Sequence, residues 1–477
     1  MIYSLKVNYT SLIEILEARK DLTATGITFI EGANEEDFLP YSELYDSAKR
    51  VLYILQQKDV APKNELVFQI ESNKAFLITF WACILGGIIP VPLTIGTKKD
   101  HKKKLFNVWD VLENPYLVIS ENDLGNIRTF AEENGLEASF NTMSSKCFRI
   151  DEIFETKGSG IIYHAQENDI AFIQFSSGST GKPKGVTLTH KNLITNITAI
   201  ATAAEYSSED SMLSWMPLTH DMGLIGFHIN PLFSGINHYL IPTNLFVRHP
   251  SVWFSKASQH KITILCSPNF GYKYVMKHCS KAEHYTWDLS AVRLIYNGAE
   301  PISLELCNEF LTWIAQFGLR KNAMCPVYGL AEASLAVSIS RLQDEIIAYH
   351  IDRASLNFGD SIAHPTNDKD AVAMVNVGSV INDCLLKITD DYHNEVEAET
   401  IGHIQIKGDN VTKGYYNNTG DSKRAFYKGW LKTGDLGFVK NGCLYITGRA
   451  KDVIFVNGQN YYACLLYTSP SPRDRQK

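Results

Sequence analysis

Two patterns of apolar residues alternate along this chain. Short apolar runs at 66–70, 116–119, 170–175, 262–266 and 292–296 read as buried strands. Between them, segments 41–57, 191–204 and 304–317 space their apolar residues as one face of a helix. Strand–helix alternation of this kind predicts an α/β architecture with largely parallel sheets. After about Val377 the pattern changes to shorter strands separated by the turn pairs Asp390-Asp391, Asn417-Asn418 and Asn441-Gly442. That change predicts a smaller antiparallel or barrel-like subdomain. Residues 75–96 are free of charge and long enough to raise the question of a membrane span. Gly86-Gly87, Pro90 and Pro92 divide the stretch into a helix, a turn and a short strand, so a buried αβ unit is expected instead.

The chain has 477 residues, enough for two or more compact units, and 45% hydrophobic with 20% charged residues is a globular composition. A formal net charge of -7 gives no electrostatic reason to expect nucleic acid or anionic lipid as a partner. The local basic run from Lys98 to Lys104 reads as a solvated loop or helix start. Nine cysteines with no Cys-x-x-Cys pair argue against a disulfide framework or zinc site and favour a reducing, cytoplasmic setting. The first residues lack a signal-peptide pattern. From Cys464 the sequence follows no preceding pattern, and its Ser-Pro-Ser-Pro-Arg-Asp run cannot be a core element; residues 464–477 are expected to be a non-native tail.

The segment with the clearest chemistry follows the apolar run 170–175. Ser176, Ser177, Gly178, Ser179, Thr180, Gly181, Lys182, Pro183, Lys184 and Gly185 form a loop dense in glycine, hydroxyls and lysine. Glycine permits close backbone approach, so the N–H groups of such a loop can surround phosphate oxygens. The hydroxyls add donors and a magnesium contact, and the lysines add charge. It is not a Walker A loop, because no glycine sits five residues before a Gly-Lys-Ser/Thr.

This loop resembles the phosphate-loop signature of the adenylate-forming superfamily, which includes acyl-CoA synthetases, peptide-synthetase adenylation domains and luciferases. Four more segments match that family in order. Asn297-Gly298-Ala299-Glu300-Pro301 resembles the adenine-side loop. Tyr328-Gly329-Leu330-Ala331-Glu332 resembles the motif with an adenine-packing tyrosine and a magnesium-side glutamate. Trp430 to Asp435 resembles the motif whose aspartate holds the ribose hydroxyls. Gly448-Arg449 resembles the ribose-contacting arginine before the domain hinge. The resemblance implies two Rossmann-like αβ subdomains with parallel sheets plus a smaller β-barrel-like subdomain. It also implies ATP and Mg²⁺ as cofactors, with Thr180 and Glu332 sharing the metal. The implied reaction is attack of a carboxylate on the α-phosphorus of ATP, which needs no general base because a carboxylate is ionised at neutral pH.

Met216 to Gly226 and Pro268 to Tyr272 are similar to fatty acyl-AMP ligases of polyketide and mixed polyketide–peptide synthases. The resemblance places His220 at the acyl pocket near the α-phosphate, with Phe227, Ile229 and Phe270 as candidate lining. Residues 346–376 resemble the region where those ligases carry an insertion that acyl-CoA synthetases lack. A fatty or related carboxylic acid is the implied substrate and the phosphopantetheine thiol of an acyl carrier protein the implied acceptor, with no nucleic acid and no integral membrane segment. An acyl-CoA ligase and a catalytically weak nucleotide-binding module are the competing readings. Residues 1–448 are expected to form the large AMP-binding domain, and 449–463 a hinge and the start of a C-terminal domain. No residue is assigned the role of the lysine that this smaller domain brings to the reaction centre in the family, so slow adenylation is expected.

Overall fold

The structure, a computed structural model, describes residues 8–96, 99–154, 158–176, 183–456 and 459–462. A four-stranded sheet runs in the order Ile89–Pro92, Glu65–Gln69, Pro115–Ile119, Cys147–Arg149, parallel throughout. Its strands are apolar on both faces because both faces are covered. Leu66 and Phe68 face one hydrophobic core, while Val67 and Leu117 face another with Leu105, Ile127 and Phe130.

A nine-stranded sheet carries the second αβ unit. Its parallel centre runs Met324–Gly329, Leu294–Asn297, Ile264–Ser267, Ser211–Ser214, Asn237–Leu240, Gly26–Ile30, with antiparallel strands at the edges. The expected strands and helices are present, shifted by a residue or two at their ends. One differs in pairing: Ile170–Ser176 forms an antiparallel hairpin with Lys184–Thr189 and joins neither parallel sheet. The expected antiparallel subdomain is a five-stranded sheet built on Cys384–Thr389, Gly402–Gly408 and Trp430–Lys440. The segment resembling an insertion folds as a hairpin of Ala348–Asp352 with Ala371–Val375. Ile351, Leu356 and Val372 of this segment pack on Leu436, Phe438 and Tyr445, behind the strand that carries Asp435.

The uncharged stretch is a helix, Asn73–Gly86, then a strand, Ile89–Pro92. Ser72 caps the helix by accepting from the Ala75 N–H, and Gly87 ends it at φ 64°, a left-handed position suited to glycine. Every residue from Phe76 to Gly86 is buried. Among the described residues no helix is long and apolar enough to cross a membrane. The basic run begins the helix Lys99–Trp109, although Lys104 is half-buried and its Nζ donates to the Phe175 carbonyl at 3.3 Å.

Trp81 of the buried helix starts a hydrogen-bonded chain through the interior. Its Nε1–H can only donate, so His228 Nε2 accepts at 2.7 Å. His228 Nδ1–H then donates to His238 Nε2 at 2.9 Å, and His238 Nδ1–H to Tyr41 Oη at 3.0 Å. The Tyr41 hydroxyl donates to the Ile236 carbonyl at 2.6 Å. Both histidines are therefore neutral, and burial pushes the His238 pKa down to about 3 and that of His228 well below its usual value.

Candidate functional site

Parallel strands end together, and the loops after their carboxyl ends form one rim where α/β proteins place ligands. Asn297 ends Leu294–Asn297 and pairs with Pro326 of the neighbouring strand, so the loop 297–301 lies beside Tyr328 and Gly329. Asn297 is buried; its Nδ2 donates to Asn269 Oδ1 at 3.0 Å, while its Oδ1 has no protein partner. A Cβ on Gly298 would lie 2.7 Å from Val327 Cγ2. Ala299 holds φ 71°, uncommon for a residue with a side chain and a mark of a constrained turn. Glu300 accepts from the Phe270 N–H at 2.6 Å, and burial raises its pKa.

Tyr328, Asp435 and Arg449 are brought together from two sheets. The Tyr328 hydroxyl donates to Asp435 Oδ2 at 2.6 Å, and Arg449 Nε lies 3.3 Å from Oδ1. Asp435 and Arg449 face each other across the antiparallel strands Trp430–Lys440 and Cys443–Arg449. Burial raises the Asp435 pKa, a shift only partly offset by the Tyr328 hydrogen bond and the Arg449 charge. Each carboxylate oxygen has two lone pairs, so Asp435 can still accept from a vicinal diol.

Gly329 is a steric requirement. A Cβ there would sit 1.9 Å from the Leu335 carbonyl oxygen, which the Leu330 N–H engages at 3.0 Å. Gly329→Ala must displace this turn, at a cost of ~1–3 kcal/mol, and is expected to lower catalytic activity by about 10- to 100-fold. Activity within twofold of wild type would show that the turn absorbs a methyl group.

Glu332 sits in the short helix Ala331–Ala333 and accepts from Tyr415 Oη at 2.9 Å. The Lys184 ammonium lies over the same Tyr415 ring at 5.0 Å and 3.6 Å from Asp421. The segment around Tyr415 is strapped to the strand Lys184–Thr189: Tyr416 N–H donates to the Gly185 carbonyl at 2.7 Å and Thr187 Oγ1 to that of Gly414 at 2.8 Å. Glu332 thus meets the far end of the glycine-rich loop. Ser176 ends the strand Ile170–Ser176 opposite Lys184. Ser177, Gly178, Ser179, Thr180 and Gly181 lie outside the described residues, and so does Lys182. The shared metal contact of Thr180 with Glu332 therefore stays an expectation, and among the described residues no cluster of His, Cys, Asp and Glu forms a metal site by itself.

His220 follows the strand Ser211–Ser214 and precedes the π-helix Met222–Ile229. Its Nδ1 is 2.7 Å from Asp221 Oδ1. The Met222 N–H is 2.7 Å from that oxygen and 3.2 Å from His220 Nδ1. We assign the N–H to the carboxylate, because an Nδ1 that donates to Asp221 cannot also accept. Burial pushes the His220 pKa down, but the Asp221 hydrogen bond and charge outweigh it and the net shift is upward. Gln174 Nε2 donates to the Thr219 carbonyl at 3.2 Å, which ties His220 to the strand that leads into the glycine-rich loop. Of the candidate lining residues, Phe227 and Ile229 are buried in the core, whereas Phe270 is 52% exposed.

Residues 17–416 match a family model described as AMP-binding enzyme. The chain belongs to the AMP-binding enzyme family. JamA of Moorena producens (strain JHB), a medium-chain-fatty-acid–acyl-carrier-protein ligase, is 29% identical over 96% of this chain and 79% of its own. The long-chain-fatty-acid–AMP ligase FadD32 of Mycolicibacterium smegmatis is 28% identical over 91% of this chain and 72% of its own. Among solved structures, one from work on the fatty acyl-adenylate ligases of E. coli and L. pneumophila aligns with TM-score 0.89 at 26% identity, covering 98% of this chain and 84% of that one. The family, the fold of two parallel αβ units with an antiparallel subdomain, and the adenylate-forming ligase class all agree with the resemblance in the sequence.

Tyr415, Gln174 and Asp421 carry site geometry that no motif in the sequence marks. Tyr415 lies far from Glu332 in the chain and in no motif, so only its place beside the strand Lys184–Thr189 reveals it.

Proposed function

We propose that this chain activates a fatty acid with ATP, giving acyl-AMP and pyrophosphate, and that the acyl group passes to the phosphopantetheine thiol of an acyl carrier protein. The Asp435–Tyr328–Arg449 cluster carries the reading: a buried carboxylate with spare lone pairs and an aromatic neighbour suits an adenosine, and Tyr328 lies at the carboxyl end of a parallel strand, where α/β proteins place ligands. The names of JamA and FadD32 support a fatty acid as substrate, and that of JamA supports a carrier as acceptor.

In this reading Asp435 accepts from the ribose diol, with Arg449 beside it. Tyr328 packs on adenine, and the unpartnered Asn297 Oδ1, with the backbone of Gly298, Ala299 and Glu300, meets the base edge. Ser176 to Gly181 and Lys184 surround the phosphates. Glu332 and Thr180 would hold Mg²⁺, which supplies charge neutralisation on the phosphates. The Glu332 carboxylate fits that role, since it keeps Oε2 free of the Tyr415 bond. A carboxylate oxygen of the acid bonds to the α-phosphorus as the bond to the bridging oxygen breaks, and pyrophosphate leaves with the electron pair. His220, held toward its cationic form by Asp221, places positive charge where two anions meet.

Acid-dependent ATP–pyrophosphate exchange, with saturated acids of graded length and aryl acids, tests the reading. Exchange with fatty acids above aryl acids is expected. ATP binding without exchange for any acid would favour the nucleotide-binding module, and thioester formation on free CoA faster than on a holo-carrier would favour the acyl-CoA ligase.

A further inference from the structure

Between Asp221 and Glu283 the sequence contains no aspartate or glutamate, in a chain whose formal net charge is -7. Within that stretch the helix Asn269–His278 buries Gly271, Tyr272 and Val275. Phe270, Lys273, Tyr274 and Lys277 follow the i, i+3, i+4, i+7 spacing and form one stripe on its outer side. Tyr274 Oη donates to the Val247 carbonyl at 2.7 Å, which joins the stripe to Val247 and Arg248 at the end of the helix Thr243–Arg248. Val247 is 48% exposed and Phe270 52%. Among the described residues neither Arg248, Lys273 nor Lys277 pairs with a carboxylate.

This face is supported from beneath and continuous with the site. Trp215 stacks on Phe246 at 4.0 Å and meets Phe270 edge-on at 5.5 Å. Phe270 donates its N–H to Glu300, and Asn269 Nδ2 donates to the Pro301 carbonyl at 2.6 Å, so the helix begins on the loop assigned to adenine. An exposed aromatic and a branched aliphatic residue ringed by unpaired cations have the make-up of a protein-binding centre. Two exposed apolar side chains do not make the broad apolar face of a membrane-surface helix, which sets an anionic lipid surface aside.

We propose that the stripe of Phe270, Lys273, Tyr274 and Lys277, with Val247 and Arg248, docks an acidic acyl carrier beside the acyl-adenylate site. The inference rests on the ligase reading and adds the surface by which the acceptor is recognised. The cations steer an acidic partner and set its register, while Phe270 and Val247 supply buried apolar contact.

The test uses the full chain, a phosphopantetheinylated acidic acyl carrier protein as probe, and the variants Lys273→Glu/Lys277→Glu and, more gently, Lys273→Ala/Lys277→Ala. Carrier binding is read by fluorescence anisotropy at low salt, and acid-dependent pyrophosphate exchange reports the untouched first half-reaction. The glutamate pair is expected to weaken carrier binding by about 10- to 100-fold and the alanine pair by about three- to tenfold, with exchange within twofold of wild type. Unchanged carrier binding in both variants overturns the proposal. So does loss of binding to phosphatidylglycerol vesicles with carrier binding retained, which would make this a lipid-facing surface. Absence of acid-dependent exchange in the wild-type chain is a different failure, that of the ligase reading.

Discussion

Asp435→Ala is expected to lower acid-dependent pyrophosphate exchange by about 10²- to 10⁴-fold. On the proposed reading the substitution removes the acceptor of two ribose hydrogen bonds, each charge-assisted and contributing ~1.5–3 kcal/mol. It also leaves the Tyr328 hydroxyl and the Arg449 guanidinium without the oxygens they now hold at 2.6 and 3.3 Å. Tyr328, proposed to pack on adenine, then loses the bond that orients its ring, so the loss is expected to fall on ATP and not on the acid. KM for ATP should rise well beyond KM for the fatty acid. Asp435→Asn keeps the shape and one acceptor oxygen, and its loss should be about tenfold smaller. An unchanged KM for ATP in Asp435→Ala would remove the ribose role from this carboxylate.

The second large effect is acid lability. His190, His228 and His238 are buried and neutral, and burial lowers all three pKa values, to about 4 for His190 and about 3 for His238. His190 accepts the Leu12 N–H at Nδ1, and the other two belong to the chain between Trp81 and Tyr41. In the unfolded chain these rings titrate near 6.5. Below that pH the unfolded state binds more protons than the folded one, so stability is full above about 6.5 and falls as the pH drops. Each ring costs up to ~1.4 kcal/mol per pH unit, so the three together remove about 4 kcal/mol at pH 5.5. His220 acts in the opposite sense, because Asp221 raises its pKa, and offsets part of the loss. Against a usual total stability of ~5–15 kcal/mol, the remainder should lower the thermal midpoint by many degrees. Equal midpoints at pH 7.5 and 5.5, at constant ionic strength, would contradict the neutral assignment of these rings.

The sequence alone carried the α/β alternation, the change to antiparallel strands near Val377, and the buried helix that a membrane-span reading would have claimed. It did so because a 3.6- or 2-residue period and the conformational limits of glycine and proline act within a few residues. Asn297, Tyr328, Glu332, Asp435 and Arg449 stood out as candidates through a different signal, the resemblance of the short motifs that carry them to a known family. Their meeting was not legible. Asp435 reaches Tyr328 only because the middle of an antiparallel strand of one sheet lies against the carboxyl edge of another. Tyr415 reaches Glu332 only because its segment is strapped to the strand Lys184–Thr189. The proton order from Trp81 to Ile236 likewise joins residues from separate elements. Local pattern fixes which elements form and which faces are apolar. Distance, burial and charge pairing between elements depend on how whole sheets dock, and that packing is decided by the tertiary structure alone.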